Sequence, residues 1–295
     1  MTALVHQGAT THGAALAVSG ASIVDVQVVR RRSIVNSVLA RRWMTWAILA
    51  PLWLLAATWV PGRVAVLTVF AIVAAREFGK LNPPMVLADR WILIGWAAVS
   101  VPAFALGLEP LAILAAAACS AIVVPLWVQD VEAGPGRIGA VTLGLLLVVA
   151  PFLALSAISS DVSAAAFFTV GLAVAFSDVA AFMIGSAFGR RRMSPRLSPN
   201  KRLEGVLGNV VGACVGVGVA VAVGIVEPRL WWMAPLVALG SVTGDLTVSL
   251  LKRHRGVKDA GSWLPGFGGL LDRVDSLLVS ALLVYVALTM VGGVS

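Results

Sequence analysis

The chain alternates between long apolar segments and short polar ones. A membrane-spanning helix needs about 20 mostly apolar residues, within a range of roughly 17 to 25. By this criterion the sequence predicts nine spans: Trp43–Val60, Gly62–Phe78, Trp91–Leu108, Pro110–Val128, Ile138–Ile158, Ser163–Ser186, Gly205–Val226, Leu230–Leu251 and Val274–Gly292. The pattern therefore predicts an all-α fold, a polytopic membrane protein built as a helical bundle.

The positions of the 22 Lys and Arg residues predict the orientation of these spans. If the N-terminus lies in the cytoplasm, all of them except Arg63 and Arg229 fall in cytoplasmic segments, as the positive-inside rule requires. An odd number of spans then places the C-terminus outside. The net charge of +8 is thus mainly a topology signal. We expect the cell's inner (plasma) membrane as the location, membrane lipids as neighbours and no nucleic-acid partner.

The chain is predicted to have three parts. Residues 1–42 form a basic cytoplasmic tail, for which a disordered segment and an amphipathic helix on the membrane surface are both compatible. Residues 43–158 hold the N-terminal membrane helices. Residues 159–295 form the C-terminal part, which is predicted to be catalytic and to carry two polar loops, 187–204 and 252–273.

Glycines recur at four-residue spacing in the seventh predicted span, at Gly208, Gly212 and Gly216. Small residues at this spacing let helix backbones approach closely in membranes. The stripe predicts helix packing and not a nucleotide-binding loop, because no strand precedes it. Packing within one chain and packing in a homodimer are both compatible with it.

Acidic residues are scarce, with 14 in the whole chain, and four of them lie in or beside apolar spans: Asp178, Asp245, Asp272 and Asp275. A charge inside the hydrocarbon layer costs about 2.5–3.5 kcal/mol or more, so such residues usually face a wet cavity and mark function. A structural hydrogen bond or ion pair between helices is the alternative for any one of them.

Helical spacing groups these residues further. Asp245, Ser249 and Lys252 lie at positions i, i+4 and i+7, which places them on one face of a helix, and Asp272 and Asp275 also share a face. Two carboxylate stripes that meet at the membrane surface are suited to Mg²⁺, which prefers oxygen ligands and binds substrate phosphates.

Both polar loops are basic and rich in glycine or proline. The residues from Lys252 to Gly269 combine four cations with a Gly-rich turn that leads into a helix, an arrangement typical of phosphate binding. In the other loop, Ser198-Pro199 predicts a helix N-cap that would aim Lys201 and Arg202 at a phosphate. An ordinary topology-setting loop is equally compatible with the second pattern.

These stretches resemble the motifs of the phosphatidate cytidylyltransferase (CDP-diacylglycerol synthase) family. One motif comprises Gly244-Asp245-Leu246, Ser249-Leu-Leu-Lys-Arg, Lys258-Asp259, Gly261, Leu264-Pro265-Gly266, Gly268-Gly269 and Asp272-Arg273-Val274-Asp275. The other comprises Asp178 to Gly185, Phe188-Gly189, Pro195, Leu197-Ser198-Pro199, Lys201 and Glu204-Gly205. In the N-terminal half, only Arg76-Glu77-Phe78 looks like a polar entry common in such proteins.

The resemblance implies that a lipid phosphate, here phosphatidate, attacks the α-phosphorus of CTP and releases pyrophosphate. It implies Mg²⁺, alone or with a second cation such as K⁺, at four aspartates: Asp245, Asp272, Asp275 and Asp178. The catalytic group is expected to comprise Asp245, Lys252, Arg253, Lys258, Asp259, Asp272 and Asp275. Substrate and phosphate binding is assigned to Ser198, Lys201, Glu204, Ser249, Gly266, Gly268, Gly269 and Arg273.

The chain departs from the family pattern at Phe267, where members usually carry a histidine between the glycines, and also at Val248, Arg202 and Val179-Ala180. Three alternatives therefore stay open: the same chemistry on another lipid phosphate, such as a polyprenyl phosphate, a diverged non-catalytic paralogue, and a transporter that uses the aspartates as a cation path. Inverted repeats would favour transport, and the sequence offers none.

Overall fold

Long helices make up most of this computed structural model, which describes residue 47, residues 51–261 and residues 268–290. A helical segment over residues 51–58 precedes eight helices. They are α1 (Val60–Leu81), α2 (Leu87–Ala105), α3 (Pro110–Trp127), α4 (Gly134–Val162), α5 (Ala164–Phe188), α6 (Leu203–Ala222), α7 (Met233–His254) and α8 (Leu271–Met290). A short 3₁₀ helix, Pro228–Trp232, leads into α7.

Seven helices within the described ranges, α2 to α8, are long and apolar enough to cross a membrane. The protein is therefore an all-α polytopic membrane protein, as the hydropathy pattern predicts. Helix α1 has the length, at 22 residues, but it carries four charged side chains. The first predicted span, Trp43–Val60, lies partly outside the described residues, and the predicted tail 1–42 lies wholly outside them.

Polar contacts between helix ends occur at both ends of the bundle. At the start of α4, Arg137 pairs with Asp89 at the start of α2 (2.9 Å) and with Asp130 in the preceding turn (2.7 Å). At the far end of α4, Ser160 accepts a hydrogen bond of 2.8 Å from Arg63, near the start of α1. Helix α4 therefore runs parallel to α2 and antiparallel to α1, with Arg63 and Arg137 at opposite ends of the bundle.

The glycine stripe of α6 packs directly on the backbone of α5. A methyl group on Gly208 or Gly216 would lie 2.6 Å from a backbone atom of α5, and one on Gly212 would collide with the carbonyl oxygen of Phe176. Apolar burial drives little helix association in lipid, so close backbone packing of this kind supplies much of the attraction. The predicted packing role is confirmed, and it operates within a single chain.

The loop between α5 and α6 does not have the helix N-cap that the sequence predicted at Ser198. Residues Arg192–Ser194 (β1) and Ser198–Arg202 (β2) form a two-stranded antiparallel hairpin, and α6 begins only at Leu203. The prediction that Ser198 caps a helix starting at Pro199 is wrong. A residue before proline favours extended backbone, and proline, which lacks an N–H, is tolerated on an edge strand. The loop therefore spans 189–202 in place of the predicted 187–204.

We predict that Gly212→Ala lowers the stability of the bundle by about 1–3 kcal/mol, the usual cost of inserting atoms into a packed interface. The thermal unfolding midpoint of the detergent-solubilised protein measures this effect. Gly95→Ala in α2 is the matched control, because a methyl group there has no neighbour within 4 Å. Equal midpoints for the two variants would contradict the tight α5–α6 contact.

Candidate active site

Helix α7 presents the predicted polar stripe at its C-terminal half. Ser249 donates a hydrogen bond of 3.3 Å to Oδ1 of Asp245, whose side chain is 40% exposed. One turn further on, the Nζ atom of Lys252 lies 2.5 Å from Oδ1 of Asp272 on α8. The i, i+4, i+7 spacing thus aligns these side chains on one face and connects that face to the next helix.

Two glycines allow α7 and α8 to approach closely where the stripe begins. A methyl group on Gly240 would overlap the backbone of Ser280, and one on Gly244 would overlap the carbonyl oxygen of Asp275. This approach brings Asp245, the residue after Gly244, beside Asp275. Gly240 and Gly244 are four residues apart, a spacing in the sequence that indicates close helix packing and that the sequence-based prediction did not include.

A third helix, α5, contributes Asp178 to the region around Asp245 and Asp275. The hydroxyl of Ser276 donates to Oδ1 of Asp178 (3.0 Å), and the backbone N–H of Ser276 donates to Oδ1 of Asp275 (2.8 Å). Asp275 is buried, and the charges of Asp245 and Asp178 both act on it. Three predicted site carboxylates, from α5, α7 and α8, therefore converge.

The β1–β2 hairpin places a cation at this acidic cluster. Lys201, in β2, lies with its Nζ atom 2.9 Å from Oδ2 of Asp245 and donates to the carbonyl of Val242 (3.4 Å). Its side chain is only 15% exposed. Lysine is a compact point charge suited to phosphate oxygens as well as to carboxylates, so Lys201 lies where a phosphate-binding cation would be needed.

Further contacts hold the hairpin in place. Glu204, in the first turn of α6, accepts hydrogen bonds from the backbone N–H of Arg191 at 3.2 and 3.4 Å. Arg253, at the end of α7, donates from Nε to the carbonyl of Leu197 (3.1 Å) and so joins the two polar loops. Ser198 lies half-buried in β2. Glu204 and Arg253 thus organise the loops through backbone groups.

Asp272 organises the Gly-rich turn before α8. Its Oδ1 atom pairs with Lys252, and its Oδ2 atom accepts from the backbone N–H groups of Ala260 (2.7 Å) and Gly269 (3.1 Å). Gly268 has a φ of 82°, a left-handed conformation that glycine adopts without strain. Ala260 and Gly269, on either side of residues 262–267, are therefore held by the same carboxylate.

The turn after α7 is built on Gly256. This residue has a φ of 74°, and the backbone N–H groups of Gly256 and Val257 donate to the carbonyls of Arg253 (3.0 Å) and Lys252 (2.9 Å). The pattern is a Schellman motif, which ends a helix on a left-handed glycine. Lys258 and Asp259 then follow as exposed side chains at the rim.

Among the remaining predicted site residues, Arg273 lies half-buried in the first turn of α8, directly after Asp272. Gly266 and the unusual Phe267 lie outside the described residues. The predicted loop 252–273 is shortened by the helices at both ends and spans 255–270.

A residue of the N-terminal half, Glu77 of α1, also reaches the site. Its Oε1 atom accepts from the backbone N–H of Leu270 (3.1 Å), and its Oε2 atom accepts from that of Leu271 (2.7 Å). The side chain is buried. The sequence signal, a carboxylate in an apolar helix, was present but was masked by the neighbouring Arg76 and Lys80.

The ligand types at this site fit a hard cation. Carboxylate oxygens predominate, and the buried hydroxyl of Ser241, one helical turn before Asp245, has no hydrogen-bond partner. Asp272 uses three of about four acceptor positions on protein donors. Among the residues that the structure describes, however, no three Asp, Glu, His or Cys side chains are grouped closely enough to form a ready metal site.

Comparison with known proteins identifies a family that covers the helical region and relatives that match part of the chain. A sequence model described as the cytidylyltransferase family matches residues 40–291. The chain is also similar to three proteins named phosphatidate cytidylyltransferase. It is 41% identical over 125 residues to that of Thermotoga maritima (40% of this chain, 46% of the relative), 37% over 127 residues to that of Mycobacterium leprae (42% and 40%), and 43% over 121 residues to that of Pseudomonas aeruginosa (40% and 44%). The chain thus spans less than half the length of these curated relatives.

Proposed function

The chain belongs to the cytidylyltransferase family, and on that premise we propose that it transfers a cytidylyl group from CTP to phosphatidate, giving CDP-diacylglycerol and pyrophosphate. Three relatives carry the name of that activity. The reaction would belong to phospholipid biosynthesis. The acceptor is the part of the proposal that depends most on the relatives, because no described feature distinguishes one lipid phosphate from another.

One observation carries the proposal: carboxylates and lysines from both sequence motifs meet where the C-terminal halves of α5 and α7 pack near the start of α8. Asp178, Asp245 and Asp275 converge there, and Lys201 and Lys252 are drawn to the same end by Asp245 and Asp272. A purely structural role would not need so many charges in a membrane bundle, where each one is costly.

The chemistry asks for positioning and charge neutralisation. An oxygen of the lipid phosphate bonds to the α-phosphorus of CTP while the bond from that phosphorus to the bridging oxygen of the β-phosphate breaks. The pyrophosphate takes the electron pair. The lipid phosphate is already ionised near neutral pH, so no strong general base is required. Lys201, Lys252 and the exposed Lys258 and Arg253 supply positive charge for the phosphates.

We propose that Asp178, Asp245, Asp272 and Asp275 hold Mg²⁺, with a second cation such as K⁺ as a further candidate. Bound there, Mg²⁺ would neutralise phosphate oxygens and orient the triphosphate. The position of the buried Asp275 beside Asp245 and Asp178 supports this proposal, because a bound cation would offset the cost of holding three carboxylates together. The unpartnered hydroxyl of Ser241 supports it as well.

We further propose nine spans, with the N-terminus and the active site on the cytoplasmic side of the inner membrane and the C-terminus outside. The concentration of Lys and Arg at the site's end of the bundle supports this orientation. The opposite end carries Arg63 and Arg229. The stripe of Gly208, Gly212 and Gly216 packs within the chain, so it lends no support to a homodimer.

We predict that the purified full-length protein, supplied with CTP, Mg²⁺ and phosphatidate, forms CDP-diacylglycerol. Asp245→Asn and Asp272→Asn should each reduce the rate by at least about a hundredfold, because each variant lacks a proposed ligand of the Mg²⁺ that would stabilise the charge of the reacting phosphates. Release of pyrophosphate and thin-layer analysis of labelled lipid measure the reaction. Glu132→Gln, an exposed carboxylate in the turn before α4, is the matched control. Full activity in both aspartate variants would refute the metal assignment.

A panel of lipid phosphates tests the acceptor. With labelled CTP, we expect phosphatidate to give at least about ten times more product than a polyprenyl phosphate at equal concentration in mixed micelles, since a factor of ten needs only about 1.4 kcal/mol of differential binding. The reverse preference would assign the same chemistry to the other lipid. Absence of any CDP-lipid across the panel, in protein shown to be folded, would refute cytidylyl transfer.

We predict that Phe267→His keeps or raises the transfer rate, because the family pattern has a histidine at this position and the imidazole adds a hydrogen-bond donor to the Gly-rich turn. Steady-state kinetics with phosphatidate provide the measurement, with Phe267→Leu as an apolar control. A loss of about tenfold or more in Phe267→His alone would mean that this turn depends on the aromatic ring.

A further inference from the structure

Glu77 makes contacts that no step of the proposed reaction uses. It lies near the end of α1, about 190 residues before the groups it binds, and its side chain is only 4% exposed. Each carboxylate oxygen accepts one backbone N–H, from Leu270 and from Leu271. Leu271 is the first residue of α8 and Leu270 directly precedes it, so neither amide has a partner inside the helix. The carboxylate thus ties α1 to the start of α8.

The same carboxylate also packs against both described ends of the segment 262–267. A methyl group on Gly261 would meet the Glu77 side chain at all three of its nearest contacts, and one on Gly269 would lie 2.6 Å from Oε2. Only a residue without a side chain leaves room at these two positions. Gly261 and Gly269 are therefore fitted to Glu77, one on each side of the Gly-rich turn.

Asp272 connects the contacts of Glu77 to the candidate active site. The backbone N–H of Gly269 donates to Asp272, while those of the next two residues donate to Glu77. A shift at Glu77 must therefore move the turn relative to Asp272 and its partner Lys252.

We propose that Glu77 is a positioning residue: its buried carboxylate fixes both ends of the Gly-rich turn and the start of α8, and so holds Asp272 and Lys252 in the geometry that transfer requires. The proposal rests on the proposed function for the transfer step alone. The binding of the turn by Glu77 is independent of it. Negative charge is the essential property, since charge-assisted hydrogen bonds to a helix N-terminus are stronger than neutral ones.

Two substitutions at Glu77 separate the effect of its charge from that of its volume. Glu77→Gln keeps the size but replaces one acceptor with an N–H₂ group that faces a backbone donor. Glu77→Asp keeps the charge but is one methylene shorter. We expect kcat to fall by about tenfold or more in Glu77→Gln, and by less in Glu77→Asp. The opposite order, with Gln close to wild type and Asp impaired, would mean that only volume matters and would overturn the proposal. Glu132→Gln is the control and should keep the wild-type rate.

Hydrogen–deuterium exchange of the full chain in detergent provides a measurement that needs no activity. In Glu77→Gln, the amides of Leu270 and Leu271 should exchange about tenfold faster or more, because the charged acceptor that they share is lost. Peptides from α6 should be unchanged. Unchanged exchange at residues 270 and 271 would overturn the proposal even if transfer itself is observed.

A double-mutant cycle tests the contact with Gly261. Gly261→Ala should lower the thermal midpoint in the wild-type background and should cost much less in a Glu77→Ala background, where the obstructing side chain is absent. Gly139→Ala, at a site with no neighbour within 4 Å, should have the same small effect in both backgrounds. Equal costs of Gly261→Ala in the two backgrounds would overturn the proposal.

Failure of the proposed function leaves a different signature. If the wild-type protein forms no CDP-lipid from any lipid phosphate, the cytidylyl-transfer proposal fails, whereas the exchange and thermal measurements still decide whether Glu77 holds the turn. If the wild type is active and Glu77→Gln retains full kcat with normal exchange, only the role of Glu77 is lost.

Discussion

A carboxylate buried among membrane helices is tolerated only where donors or cations match it, and this requirement organises the end of the bundle where the sequence motifs meet. Glu77 takes two backbone N–H groups, Asp272 takes a lysine and two backbone N–H groups, and Asp245 takes Lys201. These donors belong to segments far apart in the chain. Matching the carboxylates therefore also fixes the loops, so the charges of the candidate site help to determine the local fold.

Close backbone packing determines where those charges can meet. Gly244 lets α7 approach α8 at Asp275, and Gly212 does the same between α6 and α5, the helix that carries Asp178. A larger residue at either glycine would move a helix that bears a site carboxylate. In lipid, where apolar burial gives little preference for one helix neighbour over another, such glycines carry much of the specificity of the arrangement.

Periodic features were predictable from the sequence, and contacts across the chain were not. The hydropathy pattern predicted α2 to α8, and helical spacing predicted the stripe of Asp245, Ser249 and Lys252, because both depend on local geometry alone. Ser198 was misassigned because a serine before proline is compatible with an N-cap and with an edge strand, and pairing with Ser194 decides between them. Glu77 was missed as a site residue because its partners lie at Leu270 and Leu271, a distance that no local pattern encodes.

The occupied amides on either side of residues 262–267 change how phosphate recognition must be explained. Glycine-rich turns that lead into helices often bind phosphate through free backbone N–H groups, but here the amides of Ala260 and of residues 269–271 already donate to Asp272 and Glu77. Under the proposed function, these four amides are not open to a phosphate, and the described groups that can bind one include lysine and arginine side chains. Lys201 and Lys252 are paired with aspartates, so a cation that binds those carboxylates would release the lysines for the triphosphate. Binding of the metal would then favour binding of the nucleotide, and binding of the nucleotide would favour binding of the metal.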